Sequence, residues 1–173
     1  MLASTHLAIG GLAAIVLSSA LEASGLQSLL VLGGAVLGCM LPDIDHPRSS
    51  FGRRVLPVSL ALSAIFGHRG ITHSLLAVVA ASTLSWVAFN HLNWQQALSV
   101  PFVLGLSAGY LSHLAADWFS NSGVPLLWPS RRRFVAPISL STGSATERAL
   151  GIVLYAVFAW LASERWLDVS FFA

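Results

Sequence analysis

Lysine is absent from this chain of 173 residues, cysteine occurs once, and charge of either sign is scarce. Nine arginines and seven acidic residues amount to 9% of the sequence, against roughly 25% charge in a soluble domain. That shortage excludes an ordinary water-soluble globule, a disordered chain and a coiled coil. The single Cys39 excludes a disulfide framework, and its place in an apolar run reads as a small buried hydrophobe. No lysine or arginine precedes the first apolar run, so the positive n-region of a signal peptide is missing there. No internal repeat or low-complexity segment stands out.

What is present in quantity is apolar. The apolar share is 55% and the mean hydropathy +0.76. At about 20 residues per crossing, that supplies four or five transmembrane helices and leaves little for a separate soluble domain. One integral-membrane domain over 1–173 follows. The pI near 9.3 invites a nucleic-acid reading. However, the arginines sit in short loops beside apolar runs, where they set membrane orientation, so membrane lipid is the expected partner and nucleic acid is not.

Five apolar runs read as spans: Leu7–Leu21, Leu26–Leu41, His73–Leu92, Ala97–Phe119 and Ala149–Leu167. A shorter stretch, Val55–Phe66, has about twelve residues and reads as an interfacial or re-entrant helix. The fold class is therefore all-α, a polytopic membrane bundle of about five transmembrane helices plus one short interfacial helix. Five crossings put the N-terminus and both long connections, 43–72 and 120–148, on one side. Eight of the nine arginines lie there: Arg48, Arg53, Arg54, Arg69, Arg131, Arg132, Arg133 and Arg148. The other side holds Glu22, Glu164, Arg165 and Asp168. The positive-inside rule makes the arginine-rich side cytoplasmic. A crossing by Val55–Phe66 would invert the later half and collapse this asymmetry.

The unusual residues gather on the same side. His6 starts the first span; Asp43, Asp45 and His46 follow the second; His68 and His73 precede the third; His113 and Asp117 lie near the end of the fourth. Five of the six histidines and three of the four aspartates thus meet at one face, and His91 alone lies opposite. His113 and Asp117, four apart, share a helix face. Behind them Gly105 and Gly109 continue the stripe, and Gly34 and Gly38 form a matching one on the second span. Small-residue stripes let helices approach closely, so the second and fourth spans are expected to pack together and aim both carboxylate clusters at one spot.

Carboxylates at a helix C-terminus oppose its dipole, at about 0.3–1 kcal/mol each; a cation offsets this. Imidazole nitrogen with carboxylate oxygen suits Zn²⁺ first, and also Mn²⁺ or Fe²⁺. The candidate ligands are His6, Asp43, Asp45, His73, His113 and Asp117. Six exceed one tetrahedral site, so two divalent ions are expected, with a water activated between them. Asp45 would orient that water or take its proton, and His68 and Arg69 would either support the ligands from behind, Arg69 offsetting carboxylate charge, or handle substrate charge. Arg131–Arg133, after Trp128-Pro129, would attract anionic headgroups or simply fix topology. The blander alternatives stand beside these: Asp43 and Asp45 as turn residues between Pro42 and Pro47, and His113 with Asp117 as a hydrogen-bonded pair within a bundle. Ionisable residues in membrane segments, however, point to function.

Four ordered motifs carry a resemblance: Leu41-Pro42-Asp43-Ile44-Asp45-His46-Pro47, Gly67-His68-Arg69-Gly70-Ile71-Thr72-His73-Ser74, Gly109 through Asp117, and Gly123 through Pro129. With His6 they resemble the YdjM-like family of LexA-regulated, membrane-bound metal-dependent hydrolases. The resemblance implies a bacterial inner (cytoplasmic) membrane protein with hydrolase activity. A looser similarity, to zinc-dependent phospholipase C and single-strand nucleases, rests on ligand order: His6, Asp43 or Asp45, His73, then His113 with Asp117. It ends there, because Glu147 has no histidine four residues before it and no third zinc is supported. The similarity implies phosphoester chemistry on a lipid or headgroup-level substrate. The rival reading is a non-enzymatic metal-binding or metal-transporting membrane protein. The near absence of ionisable groups from the far halves of the first four spans argues against transport.

Overall fold

The computed structural model describes residues 1–130 and 132–166, and these form six α-helices joined by loops and short 3-10 turns. Arg131, Leu167 and Asp168, used above for topology and span limits, lie outside the described residues. The helices are α1 (Ala3–Ala20), α2 (Gly25–Met40), α3 (Leu56–Phe66), α4 (Leu75–His91), α5 (Gln96–Trp118) and α6 (Ala145–Trp166). The boundaries fall within a few residues of the apolar runs. Helices α1, α2, α5 and α6 are long and apolar enough to cross a membrane. Helix α4, with 17 residues, rises about 26 Å at 1.5 Å per residue, at the short end of what a span needs. Its direction follows from its neighbours. It starts where Leu75 N–H bonds the Leu126 carbonyl, and α5 must then return the chain to that same end.

Helix α3 settles the topological question left by the sequence. It has 11 residues, about 17 Å of helix, and both its flanks sit together: Gly52 packs on the His46 carbonyl and His68 beyond it bonds Asp45. It leaves and returns on one side. Only Ser59 is buried in it, while Leu56, Val58, Leu60 and Ile65 are exposed. Such a helix suits the headgroup boundary, where the bilayer covers apolar surface.

The two glycine stripes meet as expected. A Cβ on Gly34 or Gly38 would lie 2.1 Å from the carbonyl oxygen of Phe102 or Leu106. On Gly105 or Gly109 it would lie 2.2 or 2.0 Å from that of Val31 or Ala35. Backbone therefore rests on backbone along α2 and α5, where only glycine fits. Helix α1 closes over this pair through Gly10, which faces Cys39, and takes α6 through Gly11, which faces Phe158. At the far end, Arg165 donates to the carbonyls of Ser18 and Ala23 at 3.0 and 2.5 Å. A cation there satisfies carbonyls at and beyond the end of α1. Tyr110 ties α5 to the loop before α4 by donating to the Thr72 carbonyl at 2.6 Å. The second long connection folds back on itself through bridges Ser120–Leu140 and Val124–Phe134.

Candidate metal centre

Five chain segments deliver the site: the first turn of α1, the end of α2 with its 3-10 extension Pro42–Asp45, the loop before α4, the last turns of α5, and the loop after α5. His6, Asp45, His73, His113 and Asp117 are all buried, and Asp43 is partly exposed.

Asp117 is the hub. Its Oδ1 faces the Met1 ammonium at 2.7 Å and His6 Nε2 at 3.4 Å. Its Oδ2 faces Arg69 at 2.9 Å, His73 Nε2 at 3.5 Å and His113 Nε2 at 3.7 Å. His113 Nε2 also looks at Asp43 Oδ1 at 3.9 Å. The tautomers are set from behind. His113 Nδ1 donates to the Cys39 carbonyl at 2.7 Å, and His73 Nδ1 faces Asp45 Oδ2 at 3.3 Å and Thr72 Oγ1 at 3.1 Å. Both rings therefore turn their Nε2 lone pairs inward. The His6 ring lies flat on His113, centroids 3.7 Å apart and 7° from parallel.

These atoms fit a cation. Among the described residues, His73 Nε2 and His113 Nε2 are buried without a hydrogen-bond partner, which a folded chain rarely tolerates. Their separations from the facing carboxylates are long for hydrogen bonds. Two ligands on a tetrahedral ion with bonds of 2.0–2.1 Å stand about 3.3 Å apart, close to what is found. Two overlapping groups, His6–His113–Asp117 and Asp43–His73–His113, each keep their donor atoms within 4.8 Å.

Asp45 stands apart from both groups. His68 Nδ1 meets its Oδ1 at 2.8 Å; the Arg69 backbone N–H, at 3.0 Å, and the Thr72 hydroxyl both donate to its Oδ2. It is thus the carboxylate that orients His68 and His73, the usual partner of a metal-binding imidazole. Arg69 has φ +58°, a left-handed conformation costing about 1–2 kcal/mol. This turns its N–H to Asp45 while its guanidinium reaches Asp117, Ser120 Oγ at 2.8 Å and the Gly123 carbonyl at 2.9 Å. His46 stacks edge-on against His68, 4.5 Å between centroids, and His91 lies at the other end of α4.

Of the sequence-predicted ligands, the structure brings His6, Asp43, His73, His113 and Asp117 together and sets Asp45 behind them. Reading the sequence missed Thr72, Ser120 and the Cys39 carbonyl. It also gave Glu147 no role. Buried at the start of α6, Glu147 accepts Leu2 N–H at 2.6 Å and Gly143 N–H at 2.5 Å, which anchors the first residues beside the hub. The Ser144-x-x-Glu147 spacing before an apolar run is a helix-start signal, and Ser144 Oγ does accept from Glu147 N–H at 3.2 Å.

The chain is similar to known proteins over most of its length. The family described as YdjM inner membrane protein matches residues 1–173. The chain belongs to the YdjM family. Inner membrane protein YdjM of Escherichia coli (strain K12) is 41% identical over 134 residues, 76% of this chain and 66% of that protein. The chain thus spans just under two thirds of that relative. The protein of Bacillus subtilis (strain 168) named "Uncharacterized protein YvsG" is 31% identical over 150 residues, 86% of each chain. Inner membrane protein YbcI of Escherichia coli (strain K12) is 36% identical over 111 residues, 62% of this chain and 58% of that protein. No solved structure matches. Family membership and the apolar helices make this a bacterial inner membrane protein.

Proposed function

We propose that this YdjM-family chain is a metal-dependent phosphoester hydrolase working at the cytoplasmic headgroup level of the inner membrane. The observation that carries the reading is the pair of buried, unpartnered Nε2 atoms of His73 and His113 facing the carboxylates of Asp117 and Asp43. One imidazole nitrogen binds one cation, so the shared His113 assigns to a single ion. His73, His113, Asp43 and Asp117 Oδ2 form the fuller ligand set, with Zn²⁺ the best match to its donors. His6 and Asp117 would help to hold a second ion. When bound, the cation supplies an acidified water and stabilises charge on the phosphoryl oxygens.

The chain's own groups do the rest. Asp45 holds His68 through Nδ1 and leaves Nε2 to give or take a proton at the half-exposed edge of the site. Arg69 knits Asp45 to Asp117 and keeps the two carboxylate clusters in register. The backbone contact between α2 and α5 leaves no lumen along their glycine stripes, which favours an enzyme over a transporter.

The test is metal analysis of purified full-length protein and of His113→Ala, alongside zinc-dependent hydrolysis of chromogenic phosphate mono- and diesters. The wild type should carry zinc and hydrolyse at least one ester, and His113→Ala should lose both. Equal metal in the two proteins would sink the ligand assignment. Metal without hydrolysis would leave a non-enzymatic metal-binding protein.

A further inference from the structure

Two cavities open beside the cluster, and their linings differ in kind. The first, of about 490 Å³, is polar and basic; Arg48, Arg133, His46 and His68 line it, and so does Asp43, the partly exposed carboxylate facing His113. The second, of about 620 Å³, is walled by Ile65, Phe66, Pro125, Trp128 and Pro129. The two share His68, Arg69 and Arg133, so a basic bowl beside the candidate metal centre adjoins an apolar groove. Arg69 is spent on Asp117, Ser120 and Gly123. Arg48 and Arg133 are exposed, and the Arg133 guanidinium makes one contact to the Ser122 carbonyl at 3.1 Å. They are the charges able to meet an anion.

We infer that bowl and groove together form one binding site for a phosphate-bearing lipid. The phosphate sits against Arg48 and Arg133 above Asp43 and His68, and the first part of its hydrocarbon chain lies along the wall that Phe66 and Trp128 form together. Three observations choose this occupant. The bowl is cationic, with Arg48 and Arg133 exposed in its lining. The groove adjoins the bowl at His68, Arg69 and Arg133, which line both. Its inner wall is the end of α3, whose apolar residues are exposed along its length and so face lipid. A soluble phosphate ester would use the bowl and leave the groove without purpose, and a neutral lipid would leave the two arginines unmet. Charge and apolar surface side by side recognise a molecule carrying both.

This inference rests on the hydrolase reading for its meaning, but its test is independent of metal. Full-length protein in detergent is titrated calorimetrically, with and without chelator, against dioctanoyl phosphatidate, dioctanoyl phosphatidylcholine and glycerol 3-phosphate. The phosphatidate should bind at least tenfold more tightly than either of the others. Arg48→Gln with Arg133→Gln, both exposed and harmless to folding, should cut phosphatidate affinity at least tenfold. Phe66→Ala with Trp128→Ala should bring phosphatidate within threefold of glycerol 3-phosphate, and unchanged thermal melting checks that these variants fold. Equal binding of glycerol 3-phosphate and phosphatidate, or an arginine double variant that binds phosphatidate like wild type, would overturn the inference. Lipid selectivity without zinc would sink the metal reading alone, and zinc without lipid selectivity would sink this one alone.

Discussion

Replacing Gly109 by alanine tests whether helix packing builds the site. The new Cβ would lie 2.0 Å from the Ala35 carbonyl oxygen, where ordinary contact begins at 3.4 Å. Helices α2 and α5 must then part by about 1.4 Å, an overpacking that costs about 1–3 kcal/mol. Gly109 lies one turn before His113, and Ala35 one turn before Cys39, whose carbonyl orients that histidine. The parting therefore breaks the 2.7 Å hydrogen bond and widens the His113–Asp43 separation, already 3.9 Å. Loss of an orienting partner lowers metal affinity about 10–100-fold, and that is the expected fall in zinc affinity, measured by competition with a fluorescent chelator. Cys39 is the lone thiol and is buried, so a thiol-reactive dye reports unfolding and should show a lower Tm. Gly33→Ala is the control, because its Cβ meets nothing within 4 Å; both readouts should stay at wild-type values. Gly109→Ala with wild-type zinc affinity and Tm, or a Gly33→Ala equally damaged, would refute the reasoning.

Asp45→Asn and Asp117→Asn should separate an orienting carboxylate from a ligand. Zinc affinity should fall about 10–100-fold in the first and below detection in the second, by the same competition assay; the reverse order would exchange their roles. The topology predicts that Asn93→Cys, between α4 and α5, reacts in intact cells with a membrane-impermeant maleimide, while Ser122→Cys reacts only after lysis. The opposite pattern would place the centre outside the cytoplasm.

Four of the five expected spans were legible because apolar run length decides them, and α4 is shorter than the run suggested. The convergence of His6, His73, His113 and Asp117 was legible because alternating helices return to one face. The glycine stripes were readable at a spacing of four, and the α2–α5 contact is where they meet. The role of Asp45 was not legible. It sits in one short motif with Asp43, two residues away, yet the 3-10 turn aims one carboxylate at His113 and the other at His68 and Thr72. Nothing in residue type separates those two directions. Arg69 was legible in part, as a cation that could offset the carboxylates or meet substrate charge. A loop arginine looks free in sequence, but its left-handed backbone and three guanidinium contacts tie it down. The groove was invisible as well, since Phe66 and Trp128 are 62 positions apart and meet edge-on at 6.2 Å only in the fold.

X-ray absorption at the zinc edge of the zinc-loaded full-length protein asks the central question most directly. The account predicts imidazole nitrogens and carboxylate oxygens at about 2.0–2.2 Å, with the imidazole signal reduced in His73→Ala. A sulfur shell at about 2.3 Å, or an oxygen-only shell indifferent to His73 and His113, would contradict it.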